Sequence, residues 1–313
     1  MGRSPVTVVT GERTRTIRPV LPVDLRLTLF PLRRGRLDPA VRFQPGGVWR
    51  ATRTPAGPVT THIRTAPADG TVTMRAWGPG TEWALEAFPA LVGADDAEDG
   101  FDPGTGVVGD LHHRLTGLRI GRSGAVMEAL VPSILEQKVV GLEARRSYAR
   151  LVHTLGEPAP GPAGAALTVP PTAEVLAATR SWTFHRFGVE RKRADTIRRA
   201  CSYAARLEQT VDMSPDDARS RLTALPGIGP WTAAEVAVVA FGDPDAVSVG
   251  DYHLPNQVAW ALAGEPRGDD ARMLELLEPW RGHRGRVLRR LGAGAGAAPR
   301  HGPRMPLRAI AGQ

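Results

Sequence analysis

A lone carboxylate follows a glycine-rich turn in the stretch Leu225 to Asp251, LPGIGPWTAAEVAVVAFGDPDAVSVGD. Gly227 and Gly229 permit backbone angles closed to other residues and let a chain approach something closely. The helix expected to begin at Trp231 leaves its first amides unpaired, a natural seat for a phosphate, which such contacts hold without reading sequence. Asp251, 22 residues beyond Gly229, has the chemistry to steady a developing cation or to direct a water. Both features also have ordinary uses. Packed αα-hairpins favour glycine and proline, and a Gly-Asp pair ahead of a helical run is an N-cap signal. The roles are compatible.

These residues need positioning elements. Between Val20 and Ala76 the segments LRLTLF, VWRATRT, PVTTHIRTA and TVTMRAW are expected as strands separated by Gly- and Pro-containing turns. TEWALEAFPALVG predicts a short amphipathic helix with Trp83, Ala87 and Leu91 on one face. The acidic run GADDAEDGFDPGTG is expected as a linker or exposed loop. Beyond Asp110 the pattern is helical. GAVMEALVPSILEQKVVGLEARRSYARLVHTLG predicts two helices with Pro132 near the start of the second, Thr172 caps another, and Ser214 with Pro215 opens a further one. The expected class is α+β. An N-terminal arm (1–19) leads to a β-rich domain and linker (20–110), then a helical core (111–290) and a disordered tail (291–313).

Composition narrows the function. The longest apolar run, Val236 to Phe241, is too short to cross a bilayer, and the N-terminus shows no apolar segment of the secretory kind, so a cytoplasmic, nucleoid-associated location is expected. Cys201 is the only cysteine, which excludes disulfides within the chain and an all-cysteine iron–sulfur cluster. The eight histidines show no zinc spacing. A formal charge of +8, with its excess in residues 111–220, suits a polyanionic partner. Arginine bias is the competing account: of the 40 basic residues only Lys138 and Lys192 are lysines.

LPGIGPWTA followed by VSVGDYHLPNQV resembles the helix–hairpin–helix, Gly/Pro-rich, aspartate (HhH-GPD) signature of a DNA glycosylase superfamily. VPSILEQKVVGLEARRSYARLVHTLGE and FGVERKRADTIRRACSYA are similar to helices of its 3-methyladenine DNA glycosylase II (AlkA-type) branch, and the N-terminal strands resemble that branch's β-rich, TBP-like half domain. The resemblance spans roughly residues 20–290. It implies a monofunctional N-glycosyl hydrolase that flips an alkylated purine out of duplex DNA and breaks its glycosidic bond through an oxocarbenium-like sugar. It also implies a set of roles. Asp251 is catalytic. Trp231, Glu235, Tyr252 and Arg289 line the base pocket. Gln137, Lys138, Pro226, Gly227, Ile228, Gly229 and Thr232 contact DNA. No cofactor is required, though a structural Na+ or K+ is implied at the backbone carbonyls of Thr223, Leu225 and Gly227. The partner it implies is damaged double-stranded DNA, with no membrane involved and a monomeric protein expected.

Two exclusions follow from the same resemblance. Members that also cleave the strand carry a Schiff-base lysine after the hairpin, where this chain has Trp231, and the four-cysteine cluster of other branches cannot be built from Cys201. Three departures bear on substrate: Glu235 stands where a second pocket aromatic is common, the last helix offers Arg289 and no aromatic after Trp280, and Lys138 replaces a wedge leucine. Glu235 then serves a cationic base by charge, or pairs with an arginine or solvent. Excision of another lesion, such as a deaminated purine, and a catalytically silent damage-sensing protein are the alternative functions.

Overall fold

The computed structural model describes residues 11–162 and 166–299. Five antiparallel strands, β1 (Arg13–Ile17), β2 (Val41–Gln44), β3 (Gly47–Thr54), β4 (Gly57–Ala66) and β5 (Thr71–Trp77), form one sheet in the order β1-β5-β4-β3-β2. Alternation sets its two faces. Val48, Ile63 and Met74 pair across β3, β4 and β5 and point to one side, where α1 (Leu25–Leu29), α2 (Thr81–Glu86) and α3 (Phe88–Leu91) cover them. Trp49 and His62 pair on the other side and stack at 4.1 Å. There a two-stranded hairpin, β6 (Glu157–Pro158) and β7 (Thr168–Val169), packs Leu167 and Val169 on Ala51.

Three sequence expectations are corrected here. LRLTLF is helical, because Asp24 accepts from the amides of Arg26 and Leu27 and so caps α1, with Leu25 and Leu29 buried on one face. Residues 13–17, assigned to the arm, are an edge strand paired with β5, so the sheet begins before Val20. The TEWALEAFPALVG helix is broken at Ala87, since Pro89 opens α3.

The helical part comprises α4 (Val107–Arg114), α5 (Val126–Glu136), α6 (Gly141–Leu155), α7 (Ala173–Ala178), α8 (Ser181–Arg186), α9 (Arg191–Ser202), α10 (Ala204–Glu208), α11 (Pro215–Thr223), α12 (Pro230–Val236), α13 (Leu254–Ala263), α14 (Asp270–Leu277) and α15 (Arg284–Gly294). Thr172 and Ser214 cap α7 and α11 as expected. Pro132 lies inside α5, not at the start of the next helix. The Glu208 carboxylate accepts from the amides of Val126 and Met127, which fixes the start of α5 six residues before the proline. α15 runs on to Gly294 with Leu291 buried, so ordered structure continues past the boundary at 290; residues 300–313 of the expected tail lie outside the described residues.

Buried ion pairs tie the sheet domain to the helices. Arg50 donates from Nε and Nη2 to Glu128 of α5 at 3.1 and 2.9 Å. The acidic linker is also drawn inward: Asp96 takes both terminal nitrogens of Arg286, at 2.9 and 2.6 Å, and Glu98 takes Arg290 at 2.7 Å. Burial pushes the Glu98 carboxyl up, but Arg290, Arg119 and Arg286 together hold it below the usual carboxylate range. Such pairs add little net stability but are costly to break from one side, so they fix how the two halves meet.

Candidate active site

α11 and α12 are joined by Ala224 to Gly229. The turn closes with the Ile228 amide donating to the Leu225 carbonyl at 3.0 Å, and Gly227 sits at φ +96°. A side chain at 227 would meet Thr196 of α9 at 2.5 Å, so this glycine is required by packing as well as by φ. Gly229 differs: its backbone is extended at φ −99°, and an added Cβ would meet nothing within 4 Å. α12 begins with Pro230, and its first internal bond runs from the Ala233 amide to the Gly229 carbonyl at 3.0 Å. The Trp231 and Thr232 amides precede that bond and form the anion-favouring end of the helix.

The turn is gripped from two sides. Gln137, in the loop between α5 and α6, donates through Nε2 to the Gly227 carbonyl and to the Thr232 hydroxyl, both at 2.9 Å. Arg199 of α9 donates to the Pro226 carbonyl at 2.7 Å. Gln137 and Thr232, expected at the DNA contact, therefore spend their side chains holding the hairpin, and Thr232 is buried. Ile228 is likewise buried, its side chain anchored in the helical core. Lys138 is exposed beside Gln137 with φ +56°, a conformation that costs an L-residue about 1–3 kcal/mol and persists only where the surroundings enforce it.

After α12 the helix continues as a π-helical segment, Ala237–Phe241, and ends at Gly242 with φ +62°. The returning chain brings Asp251 back to α12. Asp251 Oδ1 accepts from the amides of His253 and Leu254 at 2.7 and 2.8 Å, capping α13, while Oδ2 accepts from Trp231 Nε1 at 3.1 Å. Four residues after Trp231, Glu235 is part-buried and accepts from the Ser248 hydroxyl at 2.5 Å. Burial pushes the Glu235 carboxyl up, the charges of Glu136 and Asp251 add to that, and Ser248 and Arg34 oppose it.

Arg34, from the sheet domain, is the member that the sequence does not disclose. It reaches Glu136 at the end of α5, Nη1 to Oε1 3.9 Å, with its side chain 10% exposed. Three carboxylates (Asp251, Glu235 and Glu136) and one guanidinium thus share a region that no single sequence motif spans. Of the other two expected pocket residues, one is exposed and one is committed elsewhere. Tyr252, next to Asp251, is 75% exposed with its ring edge-on to His253. Arg289 donates to the carbonyls of Leu27 and Thr28 at 2.7 and 3.3 Å, where burial lowers its pKa to about 10. It is a strut between α15 and α1. The last helix approaches the sheet domain at that point, so its inward guanidinium meets main-chain acceptors and is committed to them.

No family model matches. Over 140 residues the chain is 34% identical to a probable bifunctional transcriptional activator/DNA repair enzyme AlkA of Mycobacterium tuberculosis; the match covers 44% of this chain and only 28% of that protein. The fold is similar to that of the 3-methyladenine DNA glycosylase of Archaeoglobus fulgidus, with TM-score 0.77 at 20% identity over 90% of this chain and 98% of that one. It is also similar to an 8-oxoguanine glycosylase/lyase of Clostridium acetobutylicum bound to double-stranded DNA, with TM-score 0.67 at 13% identity, covering 89% and 96%. The resemblance to AlkA-type glycosylases is therefore carried by sequence over part of the chain and by fold over most of it, with the expected N-terminal antiparallel sheet and helical core.

Proposed function

We propose that the protein is a monofunctional DNA glycosylase that hydrolyses the N-glycosidic bond of alkylated purines in duplex DNA. The observation that carries this reading is Asp251 held beside Trp231, directly behind a helix start fit for a phosphate. A base cannot be attacked while stacked, so the nucleotide must leave the helix. As the C1′–N bond breaks, its electron pair departs with the base, and a cationic methylpurine leaves neutral. Asp251 stabilises the positive charge left on the sugar and directs water to C1′; the proton that this water loses passes to solvent by way of the carboxylate. Trp231 offers a ring beside the reacting sugar but no amine. Its indole N–H is committed to Asp251, which supports hydrolysis without strand cleavage.

A monovalent cation fits the hairpin in part. The Leu225 and Gly227 carbonyls each accept one hydrogen bond and retain one lone pair, and with the Thr223 carbonyl they make an all-oxygen set suited to a hard ion. Na+ or K+ there would supply positive charge toward a backbone phosphate.

The reading is tested with duplexes carrying 3-methyladenine, 7-methylguanine or hypoxanthine, scored for abasic product and for borohydride trapping. Release of methylpurines without a trapped adduct is expected. Absence of release from every lesion would leave a DNA-binding protein without this chemistry, and a trapped adduct would overturn the monofunctional assignment.

The two hairpin glycines separate binding from folding. Gly229→Leu should leave the melting temperature unchanged yet weaken binding to damaged and undamaged duplexes alike, because the new side chain occupies space that a phosphate needs. Gly227→Ala should lower stability first, through Thr196 and a disfavoured φ. Titrations at several salt concentrations check both, and unchanged affinity for Gly229→Leu would remove the phosphate from this turn.

Lys138 is assigned to the gap left by the flipped nucleotide, its long stem filling space while the ammonium reaches a phosphate. Lys138→Ala should slow flipping, followed by a fluorescent base analogue in stopped flow, with little change in melting. An unaltered trace would reduce Lys138 to a surface charge.

A further inference from the structure

The loop between the 3-10 turn Phe30–Leu32 and β2 lies against the same turn that carries Gln137 and Lys138. Its sequence, Arg33-Arg34-Gly35-Arg36-Leu37-Asp38, looks like an ordinary charged turn. The structure makes it a rigid one. The buried Asp38 carboxylate accepts from the amides of Ala40 and Val41 at 2.8 and 3.1 Å through Oδ1, and from the Arg34 amide through Oδ2. Arg34 reaches Glu136 on α5 at 3.9 Å. Gly35, at φ +89°, is packed so closely that a Cβ would stand 2.8 Å from Arg145 Cδ on α6, and the Arg145 guanidinium in turn lies 3.9 Å from where a Cβ on Gly141 would be. The loop is therefore seated across both ends of the α5–α6 turn.

What this seat presents outward is unusual. Leu37 is 72% exposed and Leu142, at the start of α6, is 46% exposed, with Arg36, Lys138, Arg145 and Arg146 exposed around them. Isolated exposed leucines need no account. Here a leucine is held at the tip of a pinned loop on a face that also carries these exposed cations. The face is continuous with the hairpin, because Gln137 joins the α5–α6 turn to Gly227 and Thr232.

We propose that this sheet-domain loop is a second DNA-contacting element, with Arg36 on a backbone phosphate and Leu37 against sugars in the minor groove beside the flipped nucleotide. The proposal rests on the glycosylase reading and adds to it a contact from the N-terminal domain. Charge complementarity and continuity with the hairpin favour a duplex as occupant, and an apolar side chain flanked by cations suits the groove of a bent helix.

The test uses the full chain and a labelled duplex containing a stable abasic-site analogue, titrated at several salt concentrations. The Arg36→Ala/Leu37→Ala double variant should bind about tenfold or more weakly, with the salt slope reduced by about one, at unchanged melting temperature. As a second measurement, Leu37→Cys carrying a photoactivatable label should crosslink the duplex. Labelling is selective because Cys201 is buried and its thiol is pushed up to about 12. Wild-type binding with an equally tight double variant and no crosslink would overturn the loop's role and leave the glycosylase reading intact. Failure of the wild-type protein to bind any duplex would remove that reading, and the loop proposal with it.

Discussion

Asp251→Asn should lose base release by about 10²- to 10⁴-fold while binding lesion duplexes as tightly as the wild type or more so. The structure makes asparagine a clean probe. Its amide oxygen can still accept from the amides of His253 and Leu254, so α13 keeps its cap. What goes is the charge and the second acceptor, since the asparagine NH₂ would face the Trp231 indole N–H as donor against donor. Asp251→Ala differs in kind, because it also removes the cap at a cost of about 1 kcal/mol. Single-turnover excision, duplex affinity and melting temperature therefore separate the roles. If Asp251→Asn excises at near wild-type rate, the carboxylate is a cap alone and the mechanism fails.

The local hydrogen bonds of Asp251 explain why its place ahead of α13 was legible. The carboxylate and the two amides that it accepts from lie in the same few residues, and local sequence reports local structure. Thr172 and Ser214 were readable for the same reason. LRLTLF was not. Five residues with leucines at alternate positions also place Leu25 and Leu29 one helical turn apart, and the deciding feature, the Asp24 carboxylate on two amides, leaves no mark in the hydrophobic pattern.

Distance in sequence accounts for the larger misses. The acidic run before Gly106 looks like a solvated linker until Arg286 and Arg290, nearly 200 residues later, are found against Asp96 and Glu98. Arg34 reaches the site only because the sheet domain is fixed against α5, partly through Arg50 and Glu128. Arg289 shows the converse. It lies close in sequence to where a pocket residue was expected, but its guanidinium turns to the carbonyls of α1. Gln137 and Thr232 were placed at the right feature, but their hydrogen bond to each other was not foreseen, since a bond between two chain segments leaves no mark in the spacing.

Glu235→Gln should cost about 10- to 100-fold in excision of cationic methylpurines and much less for a neutral base such as hypoxanthine, the range expected for a hydrogen bond to a charged group. Glutamine preserves the shape and the oxygen that accepts from Ser248, so the loss isolates the charge. The groups facing Glu235 set its cost in the free protein: burial first, then Glu136 and Asp251, eased by Ser248 and Arg34. Its folded pKa therefore lies above the unfolded value. The native state keeps a proton there that the unfolded chain has already released, so wild-type stability falls as pH rises through that interval. Glutamine removes this dependence, and its stability advantage should grow across the same interval and then level off. On cationic substrates the wild-type kcat/KM should rise with pH as Glu235 ionises, and the variant should lack that limb. Melting temperatures and single-turnover rates on both substrates, measured from acid to mildly alkaline pH, test the pair of effects together. Greater stability with equal losses on the two bases would mark Glu235 as a buried structural acid, and a gain on cationic bases would reverse the charge logic of the pocket.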